Sequence, residues 1–162
     1  MTMSDGAPPA TPDSEPGLRV DFYILDDSSA TGRLKLACKL AEKAYLAAQS
    51  VLIWLSQPEE LKALDDLLWT FRDGSFVPHD FLTAEAPDTE GPILLSSSTV
   101  PSREVDVIIN LAADLPASLD RSKRVIEIID GDETRRRAGR ARFKAYRDRG
   151  LQPASHNIRG EN

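Results

Sequence analysis

Apolar and polar positions follow two rhythms along this chain, and the changes between them outline its elements. Residues 19–25, RVDFYIL, alternate with period two and are rich in β-branched and aromatic side chains, which predicts a strand. From about residue 31 to 48 the spacing becomes helical, with Leu34, Ala37, Cys38, Ala41, Ala44, Tyr45 and Ala48 as one apolar stripe. SVLIWLS, residues 50–56, is apolar almost throughout, the pattern of a strand covered on both faces. Ser56 and Glu59 have capping-box spacing and Pro58 suits a first helical turn, so a second helix is predicted from there to about Trp69. ILLSS (93–97), EVDVIINLA (104–112) and KRVIEIID (123–130) predict three further strands. A last helix is predicted to begin near Asp132 or Glu133, two acids that favour a helix start, and to stop at Gly150.

Strands alternating with helices predict an α/β layered fold with a largely parallel sheet. FRDGSFVPHD (71–80) reads as a loop and 84–92 as an exposed acidic connector. Residues 1–17 hold four of the eleven prolines, three acids and no basic residue, the composition of a disordered leader. Residues 151–162 are polar and read as a flexible tail, leaving 18–150 as one domain. No stretch approaches the roughly 18 apolar residues of a membrane span and no signal peptide is visible, so a cytoplasmic protein without a membrane partner is expected. The single cysteine, Cys38, excludes an internal disulfide framework and fits a reducing compartment; its place on the apolar stripe predicts a buried thiol.

The sites that such a fold often carries are poorly supported. The turn after the first strand, LDDSSATGRLK, contains neither GxxxxGK[ST] nor GxGxxG, and Gly32 alone cannot supply the backbone N–H groups that cradle a pyrophosphate. Asp26 and Asp27 are a hard-oxygen pair suited to Mg²⁺, with turn capping as the alternative. A receiver-type phosphorylation site would want an aspartate and a lysine where the chain has Asn110 and the acidic stretch 130–132. His79 and His156 have no second histidine, cysteine or acid at ligand spacing, and SSS (96–98) lacks nucleophile-elbow glycines. No catalytic constellation, metal set or cofactor site emerges, and binding is the better class.

Charge then changes the picture. Residues 135–150 carry eight basic side chains against one acid, Asp148, leaving twelve basic and twenty-five acidic residues elsewhere in a chain of net charge −6. At about 100° per residue, Arg136, Arg140, Lys144 and Arg147 share one helical face with Phe143 beside them, while Thr134, Ala138, Ala141 and Ala145 form the side expected to pack on a sheet. Such a face suits phosphates or a carboxylate-rich peptide, or is merely solvated. Two features favour the peptide: the patch is short on an otherwise acidic protein, and Ile128 and Ile129 upstream offer an apolar wall beside Phe143. Direct binding of single-stranded nucleic acid is the alternative.

VDFYILDD, LLWTFRDGSFVPHD (67–80), REVDVIINL (103–111) and RARFKAYRDRG (140–150), in this order and spacing, resemble the chi subunit family of bacterial DNA polymerase III across most of residues 19–150. The resemblance implies a Rossmann-like three-layer α/β/α sandwich without a nucleotide-binding loop. It implies a non-catalytic accessory protein of the clamp-loader assembly, which grips the acidic C-terminal tail of single-stranded DNA-binding protein and so contacts single-stranded DNA only indirectly. Arg140 and Lys144 would then meet the tail's carboxylates, with Arg136 and Arg147 extending the cationic face. Phe143, where the family has a tyrosine, and Ile129 would line a slot for the terminal phenylalanine. Phe76 and Trp69 would face a second partner, the psi subunit, with core packing as the other reading of both.

Overall fold

A computed structural model of the chain describes residues 17–26, 28–29, 31–71, 77–117 and 119–158. The expected leader, Asp27 and Phe76 therefore lie outside the described residues, apart from Gly17 at the leader's end. Seven strands and three helices follow one another as β1 (Arg19–Leu25), α1 (Gly32–Leu46), β2 (Val51–Trp54), α2 (Pro58–Thr70), β3 (Asp80–Phe81), β4 (Ile93–Ser96), β5 (Val105–Asn110), β6 (Ser122–Ile129), α3 (Glu133–Asp148) and β7 (Ala154–Ile158). The strands make one sheet in the order β3-β4-β2-β5-β6-β1-β7, and every pairing is parallel.

Alternation along the strands divides the interior in two. Val51, Ile53, Val107, Ile109, Ile126 and Ile128 point to the face covered by α1 and α2, where Ala37, Cys38, Ala41, Leu64 and Leu68 are fully buried. Val20, Phe22, Leu52, Ile108, Val125 and Ile129 point to the other face, which α3 covers with Tyr146. This is the expected α/β/α sandwich. All four residues of β2 are buried, as its unbroken apolar run requires of a central strand. Burial pushes the Cys38 thiol up to about 12, so it packs as a small hydrophobe.

Two helix ends show how local chemistry sets the boundaries. Gly150 takes φ +87°, and the bonds Gly150 N–H to Arg147 O (2.9 Å) and Leu151 N–H to Tyr146 O (3.1 Å) close α3. At the N-terminus of α2 the expected capping box does not form. Gln57 is the cap residue, and Ser56 Oγ instead accepts from Ala113 N–H at 3.0 Å, across the mouth of the sheet. A tertiary partner outcompetes the local one.

The expected loop at 71–80 ends in β3, and the expected tail contains β7. Ala154–Ile158 lies parallel to β1, with His156 opposite Tyr23. An edge strand pairs on one side only and tolerates polar residues, which is why its composition reads as tail. It is also pinned by side chains. The His156 ring stacks on Tyr23 at 4.8 Å, and His156 Nε2 donates to Asp21 at 2.9 Å. Asp21 is fully buried and also accepts from Arg124 at 2.8 Å, with Arg19 at 3.0 Å. No described helix is long and apolar enough to cross a membrane.

Candidate partner-binding groove

The helix that carries the cations is built by the acids that precede it. Asp132 caps α3 by accepting from Arg135 N–H at 2.9 Å. Asp130, fully buried, accepts from the Arg135 guanidinium at 3.0 and 2.7 Å. Arg135 is thereby consumed in fixing the helix start.

The packed side of α3 differs from the expected one. Gly139, Arg142 and Tyr146 are its buried residues, whereas Thr134 and Ala141 are exposed. The cause lies on β6, where Glu127 is a fully buried carboxylate directly beneath the helix. Arg142 Nε donates to it at 2.9 Å, Tyr146 Oη at 2.6 Å and Asn110 Nδ2 at 3.0 Å, while Arg142 Nη1 reaches Ala113 O at 2.9 Å. Burial pushes the Glu127 carboxyl up against the pull of the Arg142 charge and these hydrogen bonds. Burial and the Glu127 charge raise the Tyr146 phenol far above its ordinary value and keep it a donor. A buried ion left alone is costlier than a mismatch among small residues, so Glu127 sets the helix rotation and turns Arg142 inward.

On the neighbouring face of the helix stand Arg136, Arg140, Lys144 and Arg147, all exposed. Lys144 meets Asp148 at 2.9 Å and Arg140 lies 4.0 Å from Glu133, both pairs being well solvated and weak. Among the described residues, Arg136 and Arg147 have no acidic partner. Between this row and the sheet an apolar slot of about 160 Å³ opens, lined by Phe22, Ile24, Ile129, Gly139, Phe143 and Ser155, with Arg136 and Arg140 at its rim. A second, wider hollow shares Arg140 and Phe143 with it and is bounded also by Lys144, Arg147 and Asp148. The Phe143 ring packs on Phe22 at 5.0 Å, which holds the slot's wall in place. Apolar surface and positive charge thus meet at one notch.

Arg136, Arg140, Phe143, Lys144, Arg147 and Ile129 all border this notch. Ile128 does not: parity places it in the core on the opposite face. Phe22, Ile24, Gly139 and Ser155 are contributors that local sequence reasoning missed. The alternation of RVDFYIL puts Phe22 and Ile24 on one face, but only the strand order places that face beside α3.

The crevice at the carboxyl ends of β2, β5 and β6, about 210 Å³ in volume, is bordered by the protein's own ion pairs. Arg33 pairs with Glu60, Arg135 with Asp130 and Arg142 with Glu127 around it. Among the described residues no group of three or more His, Cys, Asp or Glu side chains gathers to hold a metal. Both histidines do have an acid in space: His79 Nε2 lies 2.7 Å from Asp65, with its Nδ1 2.8 Å from Val77 O. Neither faces a nucleophile in these contacts. Trp69, on α2, is 44 % exposed and tilts over the His79 ring at 4.6 Å.

A family model described as DNA polymerase III chi subunit, HolC, matches residues 18–154. The chain is 32 % identical over 140 residues to a Pseudomonas aeruginosa protein named DNA polymerase III subunit chi, covering 86 % of this chain and 96 % of that one. It is 27 % identical over 135 residues to the Escherichia coli protein of the same name, covering 80 % and 91 %. In three dimensions it is similar to bacteriophage T4 UvsW at TM-score 0.64 and 13 % identity, spanning 88 % of this chain and 42 % of that one. A DEAD box protein from Methanococcus jannaschii matches at TM-score 0.55 and 12 % identity, over 91 % of this chain and 45 % of that one. These structural likenesses show a shared fold.

Proposed function

The chain belongs to the DNA polymerase III chi subunit family, and from that premise we propose that it is a non-catalytic subunit of the replicase. In this reading it binds the acidic C-terminal tail of single-stranded DNA-binding protein in the groove along α3, and so tethers the clamp-loader assembly to coated DNA. One observation carries the reading: the apolar slot opens at the rim formed by Arg136 and Arg140, and a second hollow sharing Arg140 and Phe143 with it is bounded by Lys144 and Arg147. A terminal aromatic ring fills the slot while its carboxylate and the acids before it meet the guanidinium and ammonium groups. The half-exposed Trp69, with Phe76, is the surface we assign to the psi subunit.

Calorimetric titration of an acidic peptide ending in Pro-Phe tests the groove. Binding that weakens about five- to tenfold in Arg140→Ala, and that weakens again as salt is raised, supports it. Unchanged affinity in the variant would overturn the site. The same chain titrated with single-stranded oligonucleotide separates the other reading: tight binding without any peptide, falling steeply with salt, would make α3 a nucleic-acid surface instead.

A further inference from the structure

We propose that the crevice at the carboxyl ends of β2, β5 and β6 binds a phosphoryl group, free or esterified, with the buried guanidinium of Arg33 at its centre. The site is separate from the groove along α3 and does not rest on the reading of that groove.

Arg33 is oddly placed for a cation that serves the fold alone. It stands in the first turn of α1, where the aligned peptide dipoles disfavour positive charge, and its side chain is only 6 % exposed. Its Nη1 donates to Leu111 O at 3.3 Å and its Nη2 to Glu60, and both of these residues line the crevice. The guanidinium is thus aimed into that space. Among the described residues nothing accepts from its Nε–H. Buried donors are almost always paired, and an unpaired one on a charged group calls for an acceptor from outside the chain.

The surroundings select an anion. Arg33, Arg135 and Arg142 line the crevice beside one carboxylate, Glu60, while Asp130 and Glu127, the partners of the other two arginines, are fully buried. The N-terminal ends of α1, α2 and α3 meet here through Arg33, Glu60 and Thr134, and neither α1 nor α2 is capped by the side chain of its N-cap residue. From β2 the chain leaves through α2 toward one edge of the sheet, and from β6 through α3 toward the other, on opposite faces. Parallel α/β sheets take their ligands at such a reversal.

Size narrows the ligand further. A volume of about 210 Å³ falls below the roughly 300–1,000 Å³ of pockets that enclose a drug-sized molecule, so a phosphoryl group enters and anything esterified to it stays outside. Glu60 holds the place meanwhile. Its side chain is 27 % exposed, so it is the member of the pair that turns out to water, and two phosphoryl oxygens then take the Arg33 fork.

Inorganic phosphate and adenosine monophosphate, each titrated into the full chain, test the site by calorimetry and by the NMR signal of the Arg33 Nε–H. Both probes are expected to shift that signal. Glu60→Gln is expected to tighten both about five- to tenfold, because the competing side chain has lost its charge. Arg33→Lys keeps a positive charge but loses the fork, and is expected to weaken both by about tenfold or more. Tighter binding of adenosine monophosphate marks an ester as the ligand and equal binding the free ion; either supports the site. An Arg33 signal unmoved at saturating phosphate, or the same affinity in wild type and Glu60→Gln, overturns it. So does phosphate binding that Arg140→Ala abolishes and Arg33→Lys spares, which would place the anion on the exposed row of α3. If Arg33→Lys fails to fold, the Arg33 signal and Glu60→Gln decide. The peptide ending in Pro-Phe is expected to bind Glu60→Gln as it binds wild type, so failure of this site and failure of the groove are told apart.

Discussion

Arg142 and Arg140 stand two residues apart on α3, yet one is buried against Glu127 and the other projects into water. Arg142 satisfies a carboxylate that the sheet has already removed from solvent, so its worth lies in folding. Arg140 meets a distant, solvated Glu133, so it contributes little to folding and leaves its charge facing solvent. The same side chain therefore serves architecture on one face and is left as solvent-facing charge on the other, and the strand beneath decides which.

The largest expected effect comes from the buried row. Arg142→Ala leaves Glu127 without a counter-charge and should cost about 3–5 kcal/mol in chemical denaturation. Arg142→Met combined with Glu127→Gln should recover most of that loss, since no ion is then buried. A single variant within about 1 kcal/mol of wild type would mean that the two faces are not distinct.

A second buried carboxylate gives the next contrast. Burial pushes Asp21 up, but the hydrogen bonds from His156 and Arg124 and the charges of Arg124 and Arg19 outweigh it and hold its carboxyl below the ordinary value. An acid depressed in this way stabilises the fold above its unfolded value of about 4, and that stabilisation is lost as pH falls through the lower folded value. Asp21→Asn should thus cost about 1.5–3 kcal/mol at pH 7. The gap between variant and wild type in melts should narrow steadily below about pH 4. Glu127 has the opposite sign, its carboxyl being raised, so acid does not weaken the network under α3 through this group.

The exposed row should show smaller numbers in binding and almost none in stability. Arg140→Ala should leave denaturation within about 0.5 kcal/mol of wild type while peptide affinity falls by about 1 kcal/mol. Smallest is Asp148→Ala. By freeing Lys144 from its 2.9 Å partner it should strengthen peptide binding by a few tenths of a kcal/mol, which calorimetry at low salt resolves.

Much of this was legible from periodicity. The strands and helices fall close to their expected positions because apolar spacing reports burial directly, and Asp132 and Gly150 mark the ends of α3 through local backbone chemistry. The cationic row was equally legible, since helical spacing alone groups Arg136, Arg140, Lys144 and Arg147. What escaped depends on contacts distant in the chain. Nothing near Arg142 in sequence announces Glu127, fifteen residues earlier on β6, so the packed side was assigned to the alanines instead. β7 was hidden because an edge strand has no need of an apolar run, and Ser56 because its partner, Ala113, belongs to another loop.

The place of β1 in the sheet has a consequence for how the molecule is made. Among the described residues the first strand in the chain lies between β6 and β7, the last two. Its flanking slots stay vacant until β6 and β7 have been made, so its apolar face must wait uncovered while the strands between are synthesised. The notch uses residues from β1, β6, α3 and β7, so it is complete only once β7 has paired with β1.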